Sequence, residues 1–216
     1  MTSSAVDLTV MHALHDAFRR DLETLTRAAA VLGDDPDAQE RLSLGWTVLA
    51  EQLHHHHTVE DEQLWPLVRR SWQRSPDALQ VLDAMEDEHE LVDPALAAVG
   101  ADVRRGVSPA GSLERLDAVV REHLAHEERE AMPLIARAVS PADWDAFGAR
   151  QARSLGMKGA AQFFPWLLLG QDDIRTDRVL GVLPAPLRWA YRYRWQPQWS
   201  TRNRVLVGAC SAAQAG

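Results

Sequence analysis

The sequence contains one cysteine, Cys210, near its C-terminal end. A lone thiol excludes an internal disulfide framework and a cysteine-based zinc site. No stretch has the long uncharged run that a membrane span requires. Positive charge is in deficit, 23 Lys and Arg against 31 Asp and Glu, for a formal net charge of -8. Bulk attraction to nucleic acid is therefore not expected. The opening Met-Thr-Ser-Ser-Ala-Val-Asp has no basic segment followed by an apolar core, so no signal peptide is expected. These absences lead to an expectation of a cytoplasmic protein with no membrane attachment. The remaining composition, 46% hydrophobic and 25% charged over 216 residues, suffices for one good core and some additional material.

Apolar residues recur at alternating three- and four-residue spacing, the mark of helices with one buried stripe. In residues 7–32 the stripe is Leu8, Met11, His15, Phe18, Leu22, Leu25, Ala29 and Leu32, and Gly33-Asp34-Asp35-Pro36 ends it. A second helix runs to about Ser71 with Leu42, Trp46, Leu49, Leu53, His56, Glu60, Gln63 and Leu67. A third, over 77–105, carries Leu79, Leu82, Met85, His89, Val92, Leu96, Val99 and Val103. A fourth, over 112–138, carries Leu113, Leu116, Val120, His123, Glu127, Ala131 and Leu134. Four such helices joined by short loops predict an all-α, antiparallel up-down-up-down bundle. Pro66 and Pro133 lie inside the second and fourth helices, and each is expected to kink its helix.

One stretch, His54-His55-His56-His57-Thr58-Val59-Glu60, returns in altered form sixty-seven positions later: His56 matches His123, Glu60 matches Glu127 and Pro66 matches Pro133. A His and a Glu four apart share one helix face. His15, His56, Glu60, His89, His123 and Glu127 thus occupy stripe positions where apolar residues belong. Burying carboxylates without partners costs several kcal/mol or more, a penalty that a bound metal removes. Nitrogen and oxygen donors of this kind suit iron, manganese or zinc. His12, His54, His55, His57 and His126 fall off the stripes and are expected to be solvated or to play supporting parts, with His126 nearest to an exception. The acidic runs Glu86-Asp87-Glu88 and Glu60-Asp61-Glu62 read as solvated faces, Glu60 excepted.

The order His, His-x-x-x-Glu, His, His-x-x-x-Glu on four helices resembles the hemerythrin-like HHE cation-binding domain. The phrase Glu-Asp-Glu-Gln-Leu-Trp-Pro after His56 and the segment His15-Asp16-Ala17-Phe18-Arg19-Arg20 are similar to that family's signatures. The resemblance covers about residues 7–138. It implies a non-haem diiron site, oxo- or hydroxo-bridged, with Glu60 and Glu127 bridging two irons and the four histidines as terminal ligands. Animal hemerythrins carry a fifth His where this chain has Asp93. Four histidines leave roughly two open positions on two octahedral irons and five leave roughly one. The implied role is binding of O2, H2O2 or NO in oxygen or redox handling. Peroxide decomposition by a catalase- or peroxidase-like enzyme, and a non-catalytic iron or oxygen sensor, are the alternatives.

Beyond the bundle of residues 1–138, Ser140-Pro141-Ala142-Asp143 predicts a short fifth helix to about Leu155. The rest of 139–216 is read as an irregular extension, with Phe163 through Leu169, Trp189, Trp195 and Trp199, and with seven Arg against three Asp between Gln171 and Arg204. Packing of this extension on the bundle is the first reading, and a homodimer contact the next.

Overall fold

A computed structural model describes residues 6–31 and 36–202. Leu32, Gly33, Asp34, Asp35, Arg204 and Cys210 lie outside the described residues. Among those described there is no strand. The helices in order are α1 (Thr9–Ala30), α2 (Pro36–Val59), α3 (Trp65–Trp72), α4 (Pro76–Arg105), α5 (Ala110–His126), α6 (Met132–Ala138), α7 (Pro141–Leu167), α8 (Asp173–Gly181), α9 (Ala185–Ala190) and α10 (Gln196–Arg202). Three wider π turns, Glu60–Leu64, Glu127–Ala131 and Tyr191–Trp195, connect α2 to α3, α5 to α6 and α9 to α10 without a break.

Local chemistry accounts for several boundaries. Before α4, the Ser75 hydroxyl accepts a hydrogen bond from the Ala78 N–H, and Pro76 takes the first helical position. The helix ends at Gly106, whose φ of 66° is the left-handed conformation that glycine adopts without strain. Ser140 accepts from the Asp143 N–H at 3.1 Å and starts α7. The predicted end near Leu155 is an interruption: Gly156 has φ 60° and ψ -178°, and helical turns then resume to Leu167.

The π turns replace the simple kinks expected at the prolines. Trp65 N–H donates to Glu60 O, Met132 N–H to Glu127 O and Gln196 N–H to Tyr191 O, a five-residue reach in each case. Pro66, Pro133 and Pro197 each stand six positions after the first residue of their turn. Proline cannot donate the usual i to i-4 bond, and its ring collides with that carbonyl. A widened turn just before it accommodates both defects. Pro94 sits inside α4 with no such turn, so proline alone does not produce it.

Each π turn inserts one residue and moves the buried stripe on by one. The sequence pattern places Gln63 and Leu67 inside after Glu60, yet Leu64, Trp65 and Val68 are fully buried and Gln63 and Leu67 half-buried. After Glu127, Ile135 is buried where Leu134 was expected.

The chain divides into two compact units. The first holds Val6 and Phe18–Phe147. There α4 packs on α2, α3 and α5, and α3 packs on α6. Phe18, Leu49, Leu53, Leu82, Met85 and Leu116 are fully buried in its core. The second holds Asp7–Ala17 with Gly148 onward. Within it the Gln171 amide donates to Ala13 O at 3.5 Å, and the Arg175 guanidinium pairs with the Asp16 carboxylate. The expected irregular extension is therefore corrected, because its described residues are largely helical. Asp172 caps α8 by accepting from the Arg175 N–H at 2.8 Å. Tyr191, Trp195 and Trp199 are buried at four-residue spacing, which gives the last helical stretch an apolar face.

The stripe shift predicts unequal costs for neighbouring leucines. Leu64→Ala should lose about 2–5 kcal/mol of stability, as for a fully buried leucine, and Leu67→Ala clearly less. Urea unfolding of the two variants decides this. Equal losses would mean the stripe runs unbroken through Glu60–Leu64.

Candidate metal centre

Two groups of buried donors come together in the first unit. His57 from α2, His89 from α4 and His123 from α5 present ligand atoms within 4.8 Å of one another. His56 from α2, Glu60 from the first π turn and Glu127 from the second meet the same limit. Within the first group the His89 and His123 Nε2 atoms are 3.2 Å apart. The Glu60 carboxylate faces both, with Oε1 3.4 Å from His56 Nε2 and Oε2 3.6 Å from His89 Nε2. At those separations neither oxygen accepts an ordinary hydrogen bond from a ring N–H.

The local fold explains why each donor points inward. Leu49 and Leu53 establish the buried face of α2, and His56 and His57 follow Leu53 by three and four residues. Glu60 and Glu127 both open π turns, so the two turns repeat the sixty-seven-residue frame seen in the sequence. The Phe18 ring of α1 packs on His56 with centroids 5.3 Å apart. His15, one turn earlier on α1, is fully buried, in the segment that groups with the second unit.

Five of the six predicted donors, His56, Glu60, His89, His123 and Glu127, are thus brought together in one unit. The structure adds His57, which was expected to be solvated or supporting. It is 4% exposed, its ring stacks on His89 at 4.0 Å, and it meets His123 edge-on at 5.2 Å. A single-stripe reading admits one residue per turn, whereas α2 buries a face wide enough for two adjacent histidines. The sequence signal that could have found it is the pair of spacings, three and four, from Leu53. Asp93, which stands where a fifth His was considered, is exposed. His54 and His55 are exposed as well.

Asp61 and Glu88 also depart from the expectation of solvated acids. Asp61 Oδ1 lies 2.8 Å from His89 Nδ1. Glu88 spans two rings, with Oε2 2.9 Å from His123 Nδ1 and Oε1 2.6 Å from His126 Nδ1. A carboxylate at Nδ1 leaves Nε2 as the inward lone pair, the arrangement that metal-binding histidines commonly use.

The electrostatics call for a cation. Burial, and then the charge of Glu127, push Glu60 well above the usual carboxylate range. Burial, with help from His123, lowers His89 to about 4. Burial outweighs the nearby His123 and raises Asp61 to about 6. Burial also acts to raise Glu88, but its bonds to His123 and His126 outweigh this and hold it below its ordinary value. Imidazoles converging on crowded carboxylates are the donor set that a metal ion satisfies, so the residues fit such an ion.

This arrangement defines a helical metal-binding domain of the His and carboxylate class. The chain belongs to the hemerythrin HHE cation-binding domain family, whose model matches residues 6–135. Neither the curated proteins nor the solved structures yield a match.

Two measurements probe this site. Loss of His57 in His57→Ala should weaken metal binding at least about tenfold, while exposed His54→Ala stays near wild type, as read by metal titration. In metal-free protein, His89 is held below its ordinary 6.5 at about 4, so the unfolded chain binds more protons between those values. Its contribution to stability is present above about 6.5 and lost as pH falls towards 4. The raised Glu60 and Asp61 pull the other way over the same range, so the test is differential: the unfolding midpoint of wild type, taken relative to that of His89→Gln, should fall as pH drops from about 6.5 towards 4.

Proposed function

We propose that this protein is a non-haem diiron protein that binds dioxygen, peroxide or nitric oxide in oxygen or redox handling. The observation that carries the reading is the Glu60 carboxylate, which turns one oxygen to His56 and the other to His89. A carboxylate that faces two donor groups is suited to bridge two ions, with His57, His89 and His123 serving one and His56 the other. Glu127, held beside Glu60 at the matching place in the second π turn, is the second bridge. His15, buried on α1, is taken as a further donor from its place in the order His, His-x-x-x-Glu, His, His-x-x-x-Glu.

When bound, the irons supply electrons and an open position for a small ligand. The chain's own part is to keep the donors unprotonated, oriented and dry. With His57 included, five imidazoles would be available to hold the ions, which would leave little room for more than one small ligand. That count favours reversible ligand binding over rapid turnover. We further read α1, α2 with α3, α4, and α5 with α6 as an up-down-up-down four-helix bundle, followed by the extension from residue 139. A cytoplasmic setting agrees with the single cysteine.

Iron added anaerobically, then exposed to air, tests the reading. The expected result is about two irons per chain and a near-ultraviolet charge-transfer band, both reduced in Glu60→Ala and Glu127→Ala. Binding of a single ion would overturn the diiron assignment. Sustained oxygen release from peroxide at enzymatic rates would replace ligand binding with catalysis.

A further inference from the structure

The acidic residues beside the donors follow a pattern. Asp61 follows Glu60 in the first π turn and reaches across to His89 on α4. Glu88 precedes His89 on α4 and reaches across to His123 on α5. Glu128 follows Glu127 in the second π turn and reaches across to Arg19 on α1, 2.8 Å away. In each case a donor points inward, and the carboxylate next to it in sequence grips the next donor-bearing element. Arg19 stands four residues after His15, so even the third reach ends on a helix assigned a donor.

These contacts are unlike ordinary surface ion pairs. Asp61 and Glu88 meet ring Nδ1 atoms whose partner nitrogens, the two Nε2 atoms, face each other 3.2 Å apart inside. The two braced rings therefore have their outward nitrogens occupied and their inward ones turned toward each other within hydrogen-bond distance. Glu88 does more than hold one ring, because its second oxygen takes His126, three residues after His123 on the same helix. It clasps α5 at two points and restrains rotation of that helix about its axis.

We infer that Asp61, Glu88 and Glu128 are positioning residues that hand the centre's alignment from one helix to the next, and that Asp61 and Glu88 fix His89 and His123 with Nε2 turned inward. The inference rests on the metal-binding reading, but its geometric part applies to metal-free protein too.

The full-length chain without metal, labelled with 15N in histidine, tests the geometry. Long-range 1H–15N spectra should place the proton on Nδ1 of His89 and His123. Glu88→Ala should remove that signature from His123 only, Asp61→Ala from His89 only, and Glu128→Ala from neither. Co2+ titration then reads the consequence. Affinity should fall about 10- to 100-fold in Glu88→Ala and Asp61→Ala, while the unfolding midpoint of the metal-free protein stays close to wild type. Glu88→Gln keeps a single acceptor oxygen and should fall between Glu88→Ala and wild type. Glu90→Ala, exposed on the same helix, should bind as wild type does. Protons found on Nε2 of His89 and His123 in the wild type would overturn the inference, as would unchanged Co2+ affinity in both alanine variants. If wild type binds no Co2+, the metal reading fails and the spectra alone decide the braces.

Discussion

The constraint on which this structure depends is the burial of Glu60 and Glu127 side by side. Two carboxylates withdrawn from water repel one another and lose hydration, a cost of several kcal/mol that packing alone does not return. Here the surroundings are imidazoles, and Glu60 lies too far from His56 and His89 for ordinary hydrogen bonds. In the absence of a cation, burial and the neighbouring Glu127 work against its ionised form. A bound cation reverses that preference, so metal binding and proton release are coupled. The imidazoles agree, since His89 is held neutral well into acid.

The π turns tie this chemistry to the fold. The first two begin at the buried glutamates, Glu60 and Glu127, and end just before an X-Pro step. The widened turn offsets the proline's missing donor and advances the hydrophobic stripe by one residue. Donor and core therefore use different registers of one continuous helical rod: His56 and Glu60 belong to the register before the turn, Leu64 and Val68 to the register after it. The turn also places Asp61 beside Glu60, where it meets His89 on α4. A strictly α-helical path would present other residues to both the core and the neighbouring helix.

Much of this was legible in the chain itself. Stripe periodicity marked the helices, and the return of His-x-x-x-Glu with its proline sixty-seven residues later marked the centre, because both signals are local and repeat at fixed spacing. Polar residues at apolar stripe positions picked out His15, His56, Glu60, His89, His123 and Glu127, all of which are buried. Tertiary structure decided what spacing along one helix does not encode. His57 is inside because α2 buries a face two residues wide. Leu64 and Ile135 displace Leu67 and Leu134 because an i to i-5 bond shifts the register. Asp61 and Glu88 act as partners of His89 and His123 because α2, α4 and α5 lie side by side. A one-dimensional pattern shows which residues leave water, but only packing between helices determines which atoms they meet.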